Sequence, residues 1–267
     1  MNRRATESGP LALRLSLALT LLIAGCASAP APELDALLPA DVVLLGEQHD
    51  AVEHQRIHAQ VVRTLAARGE LAALALEMAP RGRSTAGLAR HADEASVRSA
   101  LAWNEQAWAW AAYAPAVMAA VRAGVPALGA NLPREHMRQA MADAHLDAAL
   151  PGPVLKAQQQ AMRLGHCGLL PESQIRPMTR IQIARDQSMA EVVTAALAPG
   201  KTAVLLAGAG HVDKTLGVPR YLAPGLRVRA VRLSAGPAAG GTTDFDAVWT
   251  TPALPARDYC AELRPRP

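Results

Sequence analysis

The run Val42-Val43-Leu44-Leu45 is four consecutive aliphatic residues, and it stops abruptly at Gly46-Glu47-Gln48-His49-Asp50. An unbroken aliphatic run bounded by polar residues predicts a strand buried on both faces, the kind found in parallel sheets. A second run, Ala203-Val204-Leu205-Leu206-Ala207, ends the same way, in Gly208-Ala209-Gly210-His211. In an open α/β sheet, ligands lie just beyond the carboxyl ends of the strands. Two buried strands that each deliver a glycine and a histidine at the tip therefore predict one shared site.

The rest of the chain continues the alternation. Strands are predicted at 42–46, 72–77, 125–130, 202–207, 227–233 and 246–250. A helix is expected from Val52 to Arg68, with apolar residues at 57, 61, 62 and 65 and a stop at Gly69. Another is expected from Glu105 to Ala123, closed by Gly124. Strand–helix alternation predicts an α/β fold with a mostly parallel central sheet flanked by helices. Residues 133–198 hold helical stretches without a strand and predict a helical insertion or lid, broken at Gly165-His166-Cys167-Gly168 and Pro171.

The first 25 residues read as a targeting segment: Arg3 and Arg4 form a basic start, and Leu15 to Ala24 is an apolar core short for a membrane span. The segment ends in Leu22-Ile23-Ala24-Gly25-Cys26, which resembles a bacterial lipobox. The resemblance implies cleavage before Cys26 and lipid on its thiol and new amine. Ala27 at the next position, where Asp would signal otherwise, implies the outer membrane of a bacterial envelope. Several acyl chains make a stable anchor, at about 0.8 kcal/mol per buried CH₂. An ordinary secretory signal cleaved near Ala27 to Ala29 is the alternative. A tether to about residue 36 and a single domain over 37–267 would follow.

The formal net charge is +4; losing Arg3, Arg4, Arg14 and Glu7 with the leader removes +2 and leaves +2, with no basic block. Nucleic-acid binding therefore has no support. The three cysteines are Cys26, Cys167 and Cys260. With Cys26 lipidated, the remaining pair in an oxidising compartment most simply forms a disulfide, Cys167–Cys260. A metal or haem thiolate at Cys167, which follows His166, is the alternative.

The strand ends carry the chemistry: Glu47, His49 and Asp50 after the first, Glu77 and Met78 after the second, Gly129-Ala130-Asn131 after the third, Gly208, Gly210 and His211 after the fourth. His54 and His58 are four apart and share a helical face, His54 nearer the strand tip. Glu47, His49, His54, Glu77 and His211 make a mixed nitrogen and oxygen set that suits Zn, Mn or Fe. Glu47, His49, Glu77 and His211 are equally the acid–base groups of a hydrolase, with or without a metal. The blander reading makes Asp50 a helix cap, packs His54 on the sheet and leaves His58 in solvent. Of eight aromatic residues, four fall together: Trp103, Trp108, Trp110 and Tyr113. They either pack their helix onto the sheet or offer a flat surface to a planar ligand or partner subunit. A tyrosine oxygen such as that of Tyr113 can ligate ferric haem.

Several motifs follow one another in order: the lipobox, Leu45-Gly46-Glu47-x-His49-Asp50, Leu76-Glu77-Met78, Trp108-x-Trp110-x-x-Tyr113-x-Pro115, Ala130-Asn131-Leu132-Pro133-Arg134, Gly165-His166-Cys167, Gln182-x-x-x-Asp186-x-x-Met189-Ala190 and Gly208-x-Gly210-His211. Together they resemble the ChaN-like haem-binding lipoproteins of the haem-uptake/Tiki/TraB/erythromycin-esterase-like superfamily. The resemblance implies an outer-membrane lipoprotein that binds haem for iron acquisition. It implies tyrosine ligation with a nearby histidine, a homodimer enclosing stacked haems, and an outer-membrane haem receptor as partner. On that expectation Tyr113 ligates iron, His54 supports it, Trp110 covers the porphyrin and Arg134 pairs with a propionate; the other tyrosines are Tyr221 and Tyr259. Relatives in the superfamily use strand-tip Glu and His for hydrolysis or a divalent metal, so a metal-dependent hydrolase is the competing expectation. Partner-protein binding through the tryptophan stretch is the third.

Overall fold

The structure, a computed structural model, describes residue 1, residues 33–238 and residues 244–263, with side chains to 261. Cys26, the leader beyond Met1 and the tether as far as 32 lie outside the described residues.

Six strands form one sheet: β1 (Val42–Glu47), β2 (Leu71–Pro80), β3 (Ala127–Asn131), β4 (Thr202–Gly208), β5 (Val228–Ala235) and β6 (Ala247–Thr251). Their order is β3-β2-β4-β1-β5-β6, and every pairing is parallel. The predicted parallel α/β sheet is therefore present, with strand ends shifted by a residue or more and β2 running on to Pro80. The helices are α1 (Val52–Ala67), α2 (Glu94–Ala100), α3 (Trp110–Ala123), α4 (Met137–Ala142), α5 (Gly152–Gly165), α6 (Glu172–Ala195), α7 (Ala209–Val212) and α8 (Tyr259–Leu263).

Alternation along each strand divides the core in two. Val43, Leu45, Leu74, Leu76, Val204 and Leu206 pack with Val61, Val62 and Leu65 of α1 and Val117 and Val121 of α3. Val42, Leu44, Ala75, Ala203 and Leu205 pack on the other face with Met189, Ala190 and Val193 of α6. The helical stretch after β3 is thus not only a lid: the second half of α6 is a structural layer. The chain breaks between α5 and α6 where the Gly165–Gly168 turn and Pro171 predict it.

Two boundaries differ from expectation. Leu34 and Leu37, on a short 3₁₀ turn, are buried in the first core, so the folded domain begins before residue 37. Helix α3 starts at Trp110 rather than Glu105. Asn104 closes a turn by accepting the Gln106 N–H at 3.1 Å, and the Glu105 carboxylate accepts the Trp110 N–H at 3.0 Å, so these residues lead into the helix without joining it.

Candidate functional site

Strand β4 lies between β1 and β2, so Gly208 sits between the tips that carry Glu47 and Glu77. The two carboxylates do not point the same way. Glu47 follows the register of Val43 and Leu45 and faces α1 and α3. Glu77 lies one residue past Leu76, follows Ala75, and faces α6. The predicted single pocket is therefore two acid–base clusters, one on each sheet face, meeting over Gly208.

On the first face, Glu47 is 2% exposed. Its Oε1 accepts the Tyr113 phenol at 2.5 Å and pairs with His49 Nδ1 at 2.7 Å, while Oε2 accepts Gln55 Nε2 at 2.8 Å. Burial alone would raise this carboxyl; the bonds from His49 and Tyr113 hold it below its usual value. His58 is fully buried behind it, 3.4 Å from Oε2, with neither ring nitrogen hydrogen-bonded. Burial lowers its pKa to about 4, so it is neutral. The expectation of a solvated His58 is thus corrected: α1 turns the side chains of His54, Gln55, His58 and Val62 inward together.

On the second face, Glu77 is 3% exposed. Oε1 accepts Arg185 Nη2 at 2.6 Å and Oε2 accepts the Gly208 N–H at 2.7 Å. His211 Nε2 is 3.4 Å from Oε1, and its Nδ1 pairs with Asp186 at 2.5 Å. Burial works against each charge here. For Glu77 the opposing charges of His211 and Arg185 win and hold the carboxyl far below its usual range. For His211 the carboxylates of Glu77 and Asp186 win and lift it to about 9, so it is cationic at neutral pH. For Asp186 burial wins and raises the acid to about 6. Arg185 also donates to Asn131 Oδ1 at 2.9 Å, and Asn131 Nδ2 donates to the Glu77 carbonyl at 2.8 Å, so the tip of β3 joins the cluster.

His49 bridges the faces. Its side chain is 41% exposed, its Nδ1 is held by Glu47, and Glu77 is among the charges that raise its pKa against partial burial. A Cβ on Gly208 would lie 2.9 Å from His49 Nε2, so only glycine leaves the imidazole its place. Gly46 has a different job: a Cβ there would come within 2.2 Å of Val212 Cγ2, and its absence lets α7, the carrier of His211, settle on β1.

Other expected site residues lie elsewhere. His54 is buried, its Nδ1 accepting the Gln48 N–H at 2.9 Å and its Nε2 lying 3.2 Å from Thr251 Oγ1; burial lowers its pKa. Asp50 does not cap α1, whose N-cap is Ala51; it accepts the Tyr259 phenol instead. The divalent-metal set is corrected: among the described residues no group of three or more His, Cys, Asp or Glu side chains is placed to hold a metal ion. His54 has spent both nitrogens, and Glu47 and Glu77 face opposite sides of the sheet. Trp110 is a core residue, its indole N–H donating to Glu94 at 2.7 Å and its ring edge-on to Trp103 at 5.0 Å, so it offers no surface to a porphyrin. Trp108 reaches the tips as Tyr113 does, edge-on to His49 at 4.8 Å. Tyr113 is 3% exposed and its pKa is driven well up by burial and Glu47, so its oxygen is closed to an external iron. Arg134 is exposed just beyond β3. Cys167 and Cys260 form a disulfide, which closes the thiolate alternative.

Gln55 and Arg185 escape sequence reading, and Tyr259 stands there only as one of the two other tyrosines. Gln182 and Asp186 stand in the motif series without an assigned role; here the Gln182 amide lies 3.0 Å from His211 Nδ1. The four-residue spacing from Gln182 to Asp186 places both on one face of α6 and is the signal that could have drawn them in.

Residues 34–222, well over half of the chain, match the family described as haem-binding uptake, Tiki superfamily, ChaN. Among solved structures, one described as cofacial heme binding to ChaN of Campylobacter jejuni is similar with a TM-score of 0.64 and 28% identity, over 80% of this chain and 88% of that one. The type III effector HopBA1 has a TM-score of 0.45 and 16% identity over 80% and 88% of the two chains. No curated protein matches the chain. With the family match spanning the domain from its first buried leucine through β4 and α7, this chain belongs to the ChaN haem-binding uptake family of the Tiki superfamily.

Proposed function

We propose that this protein is a haem-binding lipoprotein of bacterial iron acquisition, and that it holds haem on the exposed side of the strand tips through Tyr259. The state of the three phenols carries this reading. Tyr113 is buried against Glu47, and the Tyr221 hydroxyl is buried without a hydrogen-bond partner. Tyr259 is 44% exposed, donates to Asp50 at 2.8 Å and accepts from Gln48 Nε2 at 3.0 Å, the two residues that flank His49 in the sequence.

The residues present there fit haem. An exposed phenol, a half-exposed imidazole and the Trp108 ring suit a flat macrocycle, and the Arg257 guanidinium, 5.4 Å from the Tyr259 ring centre, suits a carboxylate. Haem, when bound, would supply a ferric iron, and the Tyr259 phenol oxygen would hold it. Asp50 holds the Tyr259 proton in the free protein, raising the phenol's pKa through that bond, and is placed to receive it.

Cofacial binding is described for the Campylobacter jejuni protein; on this reading a second copy of this chain faces the same tips. Anchorage through lipid on Cys26 at the outer membrane and hand-over to an outer-membrane haem receptor belong to the same proposal. Titration of the purified protein with haemin tests it: a Soret shift with a tyrosinate charge-transfer band is expected, lost in Tyr259→Phe and kept in Tyr113→Phe. No Soret shift refutes haem binding, and an unchanged band in Tyr259→Phe refutes the placement.

A second reading rests on Glu47 and His49. An ionised, buried carboxylate on Nδ1 leaves Nε2 as a base within the field of the His211 cation, a metal-free arrangement able to activate water for hydrolysis. Ester or amide hydrolysis that survives both His49→Gln and Glu47→Gln would rule it out.

A further inference from the structure

Beyond β6 the chain crosses the surface to α8 with almost no burial: residues 252, 253 and 255–259 are exposed. A segment that buries so little apolar surface has little intrinsic hold on its position. Three of its attachments stand out among the described residues. The Tyr259 hydroxyl is bonded to Asp50 and Gln48, and Arg257 lies 3.9 Å from Asp50. Exposed polar contacts of this kind hold a segment only weakly. The third is covalent: Cys260, the residue after Tyr259, is disulfide-bonded to Cys167, 93 residues earlier, with the two Cα atoms 5.6 Å apart. Cys167 sits in the turn between α5 and α6, and α6 is fastened by buried Ile175, Ile183 and Met189. The bond therefore ties an exposed phenol to a core helix.

We propose that the Cys167–Cys260 disulfide is the positioning element of the haem site: it holds Tyr259 at the strand tips, and its reduction by a dithiol releases the phenol and the haem with it. This rests on the reading of Tyr259 as the iron-binding residue. The dithiol gives two electrons and two protons to the Cys167–Cys260 bond, which breaks into two thiols while the dithiol closes to its own disulfide. The iron takes no part. Once freed, the segment carrying Tyr259 meets the strand tips only at the low effective concentration of a flexible tether. Haemin affinity falls about tenfold or more. By linkage, bound haem slows reduction of the bond, because each event disfavours the other.

The experiment uses the full chain in detergent, oxidised, or reduced by a dithiol, alkylated with iodoacetamide and freed of reductant before haemin is added. Expected are a weaker affinity and a lost tyrosinate band after reduction, the same result in Cys260→Ser, and faster hydrogen exchange over 252–261. A circular dichroism melt shows whether the domain stays folded, and in-place reduction serves if Cys260→Ser does not fold. Thiol release timed with and without haemin reads the reciprocal effect. Unchanged affinity and band in the folded, reduced protein, or equal rates of thiol release, overturns the proposal. Tyr259→Phe in the oxidised protein separates the two ideas. If it leaves the band intact, the Tyr259 reading fails and this one with it. If it abolishes the band while reduction does nothing, only the disulfide proposal fails.

Discussion

Glu77→Gln is the substitution for which the site's electrostatics make the sharpest demand. Glu77 accepts Arg185 at 2.6 Å and the Gly208 N–H at 2.7 Å, with His211 Nε2 3.4 Å away. Glutamine keeps the shape and removes the charge, leaving two buried or half-buried cations facing a neutral amide. Removing one partner of a buried pair costs about 3–5 kcal/mol, a fall in Tm of roughly 6–20 °C for a domain of this size. The pH dependence gives an independent check. His211 has a pKa of about 9 in the folded protein against 6.5 for a free imidazole. Because the folded value is raised, its stabilisation is complete below pH 6.5 and is lost as pH climbs through 9. The difference amounts to roughly 3 kcal/mol, shared with Asp186 as a coupled pair. Glu77 is the largest of the charges that raise His211. Urea unfolding at a series of pH values should therefore show the native protein losing roughly 3 kcal/mol between pH 6.5 and 9.5. Glu77→Gln should be weaker at pH 6.5 and show little further decline. A flat native profile, or an equal slope in the variant, refutes the cluster as described.

Tyr113→Phe removes a buried hydroxyl from Glu47, which keeps His49 and Gln55; a loss of about 1–2 kcal/mol in urea unfolding is expected. Gly208→Ala puts a methyl 2.9 Å from His49 Nε2 and 3.6 Å from Glu77 Oε2, so the half-exposed imidazole swings out and its pKa, followed by NMR, drops back towards 6.5. Gly46→Ala drives a methyl into Val212 Cγ2 at 2.2 Å and Ala209 Cα at 2.9 Å; unfolding should show a loss of about 1–3 kcal/mol.

The parallel sheet is legible because its strands are buried on both faces, and such strands write themselves as aliphatic runs that no surface element imitates. Glu47, His49, Glu77 and His211 are legible as a set for the same reason: Glu47, Glu77 and His211 are each the first ionisable group after such a run, His49 follows Glu47 by two, and strand ends converge on one edge. Their division between two sheet faces follows from residue parity within each strand, and the second layer, α6, had to be in place before it meant anything. His54 and His58 could not be sorted from spacing, because neighbours on a helical face include both core and tip positions. The tryptophan stretch divides the same way. Trp110 is spent in the core and Trp108 reaches His49, although they are two residues apart.

The amino-acid sequence by itself determines which strands form, that they run parallel and which ionisable residues stand near their ends, since these depend on periodicities of a few residues. Only the tertiary structure decides the partners. Tyr113 meets Glu47 across 66 positions, Gly208 meets Glu77 across 131, and Tyr259 meets Asp50 across 209. Contacts at such separations are chosen by how layers pack and where a disulfide closes, not by any local pattern. That is why Tyr113, the tyrosine in the matching motif, ends inside the protein, while Tyr259, in no motif at all, stands at the strand tips.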